Sequence, residues 1–245
     1  MPFDFDLRGH TALVTGAGRR LGRAFAEAIA SEGADLVVHY GGSQDGAEEA
    51  VRAAQQHGIR AVAIRADLSD PHQAAGLIRR SLELVPEVDL LVNSAAIFEP
   101  VGAIEVPIES WQRHLDINLT APFLISQAFA KARDGAPGVI VNLLDWRALL
   151  PAADHFPYAI SKAALASLTR GLALALAPSV RVNGLALGAI LPADNAAGGD
   201  PLRGVPAGRW GTVEEAVEGL LFLLGGPKSM TGEILQLDGG RHLTG

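Results

Sequence analysis

Tyr158 and Lys162 stand four residues apart in the stretch LLDWRALLPAADHFPYAISK (143–162), a spacing that puts a phenol and an ammonium on one helix face. A phenol with an ordinary pKa of about 10 donates a proton poorly at neutral pH, and a neighbouring cation that steadies its anion corrects this. The pair reads as a proton donor and its activator. Asp145 lies upstream of the tyrosine. An ionised carboxylate accepts hydrogen bonds and repels a developing oxyanion, so it is ill suited to polarise a ketone. It suits a substrate with N–H groups, or a ring nitrogen that takes up a proton, which points to a nitrogen heterocycle. Beside this stands a plainer reading of Asp145, as a turn cap or as the ion-pair partner of Arg147.

The elements that position these groups follow from periodicity. Short β-branched and leucine-rich runs alternate with longer alanine-rich helical stretches, the signature of βαβ units and a parallel sheet. Strands are predicted at 12–15, 35–39, 61–65, 90–92, 139–143, 180–185 and 233–237. Helices are predicted near 21–31, 44–57, 70–84, 109–131, 156–177 and 212–224, the last opened by a capping box from Thr212 to Glu215. The fold class is α/β: a single-domain, Rossmann-type doubly wound sheet of about seven parallel strands with helices on both faces, over residues 1–245. The stretch LPADNAAGGDPLRGVPAGRWG (191–211) has no clear period and is either a disordered excursion or a substrate lid. Its departure from the carboxyl end of a strand, where open α/β sheets bind ligands, favours the lid. The helix at 156–177 is apolar nearly all round, as expected of a helix covered on both sides, whether inside one chain or partly by another subunit.

Composition narrows the function. A formal charge of −7 argues against a partner with a phosphate backbone, so no nucleic acid is expected. The absence of cysteine excludes disulfides, thiolate catalysis and cysteine-ligated metals. No His, Asp and Glu spacing resembles a metal site. The opening MPFDFDLRGH lacks the basic and then apolar run of a signal peptide. Once Arg170 and Arg181 are counted, no charge-free apolar run approaches the ~18 residues of a membrane span. A cytoplasmic protein without membrane contact is expected.

The strand at 12–15 runs through GAGRRLG into a helix. A strand, a glycine-rich turn and a helix N-terminus together make an anion cradle, best suited to a pyrophosphate. The glycines, Gly16, Gly18 and Gly22, depart from the common G-x-G-x-x-G, so the turn alone does not decide between a cradle and a plain bend. With the residues that follow, the chain resembles the short-chain dehydrogenase/reductase family, whose pattern is TGxxxGxG, then NNAG, a helix asparagine, YxxxK and a PG turn. Thr15, Gly16 and Gly22 match, whereas Arg20 replaces the middle glycine. NSAA (93–96) stands for NNAG, with Asn93 and Ala95 on pattern and Ser94 and Ala96 off it; Asn118, Tyr158 and Lys162 follow, and Leu187 and Gly188 replace the PG turn. The resemblance implies a nicotinamide cofactor on Gly16, Leu21, Asn93, Ser94, Ala95, Gly188 and Ile190, with Asp67 and Leu68 at the adenine. It also implies Lys162 on the nicotinamide ribose beside Tyr158, Asn118 holding a water behind the lysine, and a homotetramer.

Charge chooses the nicotinamide. An acid near the end of the second strand usually holds a ribose 2′-hydroxyl and would repel a 2′-phosphate. HYGGS (39–43) has none, and Arg19 offers a cation nearby, so NADPH is favoured over NADH. Several departures from the family pattern are similar to the pteridine reductase branch: Asp145 where most members carry a serine, Arg20, the strand end His39–Tyr40, Phe98, GAIL (188–191) and DGGR (238–241). That likeness implies Phe98 on one face of a pterin and the nicotinamide on the other, Arg20 reaching both the cofactor phosphate and the pterin edge, His39 and Tyr40 at the cofactor, and Asp145 and Tyr158 on the substrate. The expected reaction is NADPH-dependent reduction of a pterin or folate-type ring, hydride going to a ring carbon and a proton to the adjacent nitrogen through Tyr158. The rivals are a carbonyl reductase and a catalytically silent NADPH-binding sensor. Gly41 and Gly42 lack side chains where the branch contacts the 2′-phosphate, which leaves Ser43 and Arg19 to carry it, and Ala96 replaces a ligand-contacting serine of some relatives.

Overall fold

The strand TALV (β1, Thr11–Val14) is buried at every residue, which a strand achieves only with helices on both sides of its sheet. The computed structural model describes residues 5–150, 153, 155–191 and 202–244. Six further strands join β1: β2 (Asp35–Tyr40), β3 (Ala61–Arg65), β4 (Leu90–Asn93), β5 (Gly138–Asp145), β6 (Val180–Leu187) and β7 (Ile234–Leu237). They form one parallel sheet in the order β3-β2-β1-β4-β5-β6-β7. The helices are α1 (Arg20–Ser31), α2 (Gln44–Gln55), α3 (Pro71–Leu82), α4 (Ile108–Leu115), α5 (Ala121–Arg133), α6 (Phe156–Leu176) and α7 (Val213–Gly225). Residues of α1, α2 and α7 pack on one face around Phe25, Ile29 and Leu220, and residues of α3, α5 and α6 on the other around Leu77, Ile125 and Phe129. The strand order reverses between β1 and β4, and the crevice at that switch point is where such sheets bind ligands.

Three elements differ from expectation in ways that shape the site. β5 and β6 run two residues past their predicted ends and pair to their tips, Asp145 opposite Leu187. The predicted helix at 109–131 is broken by a π-helical turn, Asp116–Thr120, between α4 and α5. Such turns mark functional positions, and this one carries the buried Asn118. α6 has the length and mean hydropathy (1.3) of a membrane-crossing helix, but Lys162 and Arg170 interrupt it, in keeping with the expectation of no long charge-free apolar run. Its buried polar residues tie it to β5 of the sheet: Thr169 Oγ1 accepts from Asn142 Nδ2 (2.9 Å), and Lys162 Nζ donates to the Leu143 carbonyl (2.6 Å). The chain covers one side of α6, leaving Leu174 84% exposed.

Candidate active site

At the carboxyl end of β1, Gly16 adopts φ +68°, and a Cβ there would stand 2.9 Å from the Ala95 Cα. Glycine lets the turn press against the segment that follows β4. Thr15 Oγ1 fixes the contact by accepting from the N–H groups of Ser94 (2.9 Å) and Ala95 (3.0 Å). Beyond the turn, α1 begins with no side-chain cap from Arg19 and no acid in its first turn. Its leading N–H groups lack intrahelical partners and suit an anion, and the exposed Arg19 and Arg20 flank them. Leu21 follows, partly buried against the core. These features fit the diphosphate of a dinucleotide.

The remaining expected cofactor residues divide into rim and support. His39 is buried behind the turn: the Gly16 N–H donates to its Nδ1 (3.2 Å), which leaves Nε2 to donate to the Ala66 carbonyl (3.1 Å). Burial pushes its pKa down to about 4, so a neutral ring braces the turn against β3. Asn93 is likewise buried, donating to Asn142 Oδ1 (2.8 Å). Tyr40 ends β2, and Ser43 precedes α2 without capping it. Asp67 Oδ1 accepts from the hydroxyl and N–H of Ser69, and Leu68 is buried. Gly188 lies against Asp238, where a Cβ would come within 2.7 Å of Cα. Ile190 is buried, in the range of a contact with Gly211.

At the chemistry end, the extension of β5 makes Asp145 the cap of a 3-10 turn, Trp146–Ala148. Its Oδ1 accepts from the Arg147 N–H (2.9 Å) and lies 3.5 Å from the Arg147 guanidinium. The same carboxylate stands beside the Tyr158 phenol and raises its pKa by its charge. The cap, the ion pair and the place beside the phenol therefore belong to one side chain. Burial raises the pKa of Asp145, against the pull of Arg147 and Lys162. Burial first, and the Asp145 charge second, hold Tyr158 well above its usual value, with Arg147 opposing, so the phenol stays protonated. Lys162 Nζ donates to the Leu143 carbonyl at 2.6 Å and lies 5.8 Å from the centre of the Tyr158 ring. Burial lowers its pKa to about 8, with Asp145 opposing. Two cations thus stand near the phenol, Lys162 over its ring and Arg147, whose charge opposes the rise in its pKa.

Phe98 meets Tyr158 edge to face at 4.7 Å between ring centres, so the expected substrate residues Phe98, Asp145 and Tyr158 do converge, with Arg20 at the cofactor turn. The imidazole of His155 lies flat on Phe98, 3.8 Å away and 6° from parallel, and Arg147 stands over the same ring at 5.5 Å. Asn118 holds this segment: its Oδ1 accepts from the Ile97 N–H (2.9 Å), and its Nδ2 donates to the Ile97 carbonyl (3.1 Å) and to Ser161 Oγ (3.1 Å). Sequence reasoning named Arg147 only as a partner of Asp145 and did not foresee that Arg147 and His155 both lie on the ring of Phe98. The signals were slight: Arg147 directly follows the acid by two residues, and His155 sits at the start of α6 with φ +51°. Of the expected lid, residues 192–201 lie outside the described residues. Its far end is anchored, Arg209 pairing with Glu215 (2.6 Å) and the Ala207 N–H donating to the Gly239 carbonyl (3.0 Å).

Residues 10–198 match the family described as short chain dehydrogenase. The 3beta-hydroxysteroid dehydrogenase 1 of Eggerthella lenta is 35% identical over 97% of this chain and 95% of its own. Glucose 1-dehydrogenase 2 of Bacillus subtilis is 31% identical, over 97% of this chain and 96% of its own. Among solved structures, FolM alternative dihydrofolate reductase 1 from Brucella canis complexed with NADP superposes with a TM-score of 0.90 at 31% identity, covering 98% of this chain and 96% of that one.

Proposed function

The chain belongs to the short chain dehydrogenase family, and on that premise we propose that it is an NADPH-dependent reductase of a pterin or folate-type ring. One observation carries the reading: the part-buried Asp145 carboxylate acts by its charge on the Tyr158 phenol, beside the ring of Phe98. An acceptor at that place complements the N–H donors of a heterocycle and disfavours a developing oxyanion. Phe98 supports it, because its face already holds one planar nitrogen heterocycle, the imidazole of His155, whose place a pterin would take. The likeness to a dihydrofolate reductase complexed with NADP supports both substrate class and cofactor.

NADPH, when bound, supplies the hydride. The glycine turn and the start of α1 hold its diphosphate, and Lys162 holds its nicotinamide ribose. Tyr158 donates the proton to a ring nitrogen, and Asp145 orients the ring by accepting from its N–H groups. A homotetramer belongs to the proposal, supported by the apolar Leu174 and Ile160 left exposed on α6.

A second reading has its own observation. Burial raises the pKa of Asp145, and a protonated carboxyl would donate to a ketone as a hydroxyl does. The likeness to hydroxysteroid and glucose dehydrogenases favours that carbonyl-type chemistry. The deciding test sets reduced pterins and simple ketones against wild type and Asp145→Ser, with NADPH and NADH, followed at the nicotinamide absorbance. The pterin reading expects dihydropterin turnover in the wild type and a loss of about 100-fold in the variant. Ketone turnover that the variant keeps or improves, with no pterin turnover in either protein, overturns it.

A further inference from the structure

We propose that Arg65 and Arg80 form the phosphate clamp that selects NADPH. The inference rests on the NADPH reading and assigns its discriminating contacts to residues outside every motif discussed above. β3 is the edge strand, and its last residue, Arg65, is the ladder partner of Tyr40 at the end of β2. The two backbones therefore run about 5 Å apart. Directly past Tyr40, Gly41 and Gly42 contribute no side chains, and a Cβ on Gly42 would meet nothing within 4 Å. A cavity of about 740 Å³ opens there, lined by Gly41, Gly42, Arg65, Asp67, Gln73 and Arg80.

The two arginines reach it from opposite sides of the sheet. Strand alternation places Arg65 on the face of Ala61 and Ala63, which pack with α1 and α2, so it shares the side of the glycine turn and Arg19. Arg80 comes from α3 on the other face, its Nη2 donating to the Arg65 carbonyl at 2.9 Å. Among the described residues neither guanidinium is in an ion pair with a carboxylate. The one acid in the lining, Asp67, accepts through Oδ1 from the hydroxyl (2.7 Å) and N–H (2.9 Å) of Ser69, bonds that with the charge of Arg65 hold its carboxyl below the usual range. A ribose 2′-hydroxyl is held at the end of the second strand by an acceptor, whereas a 2′-phosphate is held by guanidinium forks. This cavity offers forks at the strand end that lacks both an acid and side chains of its own.

The test measures binding to the purified protein, with 2′,5′-ADP against 5′-AMP by calorimetry and NADPH against NADH by nicotinamide fluorescence. The wild type is expected to bind the 2′-phosphorylated member of each pair at least tenfold more tightly. Arg65→Gln and Arg80→Gln are each expected to weaken that member by about tenfold, the worth of a charge-assisted hydrogen bond, with 5′-AMP and NADH unchanged. Adding Gly42→Arg to the double variant restores part of the loss. A wild type indifferent to the 2′-phosphate overturns the NADPH reading and the clamp together. A wild type that prefers NADPH, with variants that keep the preference within twofold, refutes the clamp alone and leaves Arg19 and Ser43 as the contacts. Equal weakening toward all four ligands also refutes it, because it marks a general role in the fold or at the adenosine.

Discussion

Gly46→Ala tests whether the cofactor turn is held by backbone packing from α2. Gly46 lies in the first turn of that helix, and a Cβ there would fall 2.1 Å from the carbonyl oxygen of Gly18. Side-chain carbons do not approach closer than 3.0 Å, so turn and helix must part by about 1 Å, and neither contact atom belongs to a flexible side chain. Forced repacking of this kind costs about 1–3 kcal/mol, against which alanine in a helix returns about 0.5–1 kcal/mol. The net loss of about 1–2 kcal/mol lowers the melting temperature of a chain this size by about 2–8 °C. The displacement falls on the turn assigned to the diphosphate, so the Kd for NADPH should rise by about 100-fold, the usual consequence of a 1 Å misplacement. Gly76→Ala on α3 is the control, since its Cβ would meet nothing within 4 Å; it should stabilise by about 0.5–1 kcal/mol and leave binding alone. Thermal melts and NADPH fluorescence titrations read both effects. A Gly46→Ala protein that melts and binds like the wild type would refute the packing argument.

Three further outcomes are expected. Lys162, with its pKa lowered to about 8, keeps its proton below that pH and loses it above, so kcat/KM should fall as pH rises through about 8; because Asp145 opposes the lowering, Asp145→Asn should move the fall to lower pH, and a limb that does not move would uncouple the two groups. His155→Ala, which clears the face of Phe98, should lower the KM for a pterin, whereas Phe98→Ala should raise it about three- to tenfold; unchanged KM values in both would take Phe98 out of the substrate site. Thr212→Ala removes one half of the capping box that opens α7 and should cost about 1 kcal/mol, seen as a melting point lower by about 2–4 °C with steady-state kinetics intact; lost activity at full stability would contradict a purely structural role.

The sheet was readable because its inner strands are covered on both faces and so appear as continuous apolar runs bounded by turn residues. AVAIR corresponds residue for residue to β3. The tips of β5 and β6 were not readable, since Leu144–Asp145 and Ala186–Leu187 carry no β-branched residue and are held in the ladder by each other. The π-helical turn was only half hidden. Pro122, which lacks an N–H and stands in the first turn of α5, signals a break within 109–131, whereas the side-chain bonds of Asn118 to Ile97 join residues distant in sequence and leave no local mark. Tyr158, Lys162 and Asp145 could be paired from spacing because one strand and the next helix carry all of them. The stack of His155 on Phe98, and the meeting of Arg65 with the end of β2, depend on register and loop closure, which no local pattern encodes.

The double duty of Asp145 explains why serine is the informative replacement there. As the cap of the 3-10 turn, its carboxylate is tied to the Arg147 N–H, which removes the rotational freedom an unanchored carboxylate would have and keeps its charge beside Tyr158. Serine caps such turns about as well as aspartate, so Asp145→Ser keeps the turn and removes only the charge. Alanine removes both, and a loss of activity in Asp145→Ala would not distinguish a collapsed turn from a missing acceptor. Asparagine keeps the cap and the acceptor oxygen while adding an N–H donor. If the site serves a heterocycle with N–H donors, activity on pterins should rank aspartate, then asparagine, then serine; if it serves a ketone, serine should rank first. The order of three variants thus separates the two chemistries at one position, without reference to the stability of the turn.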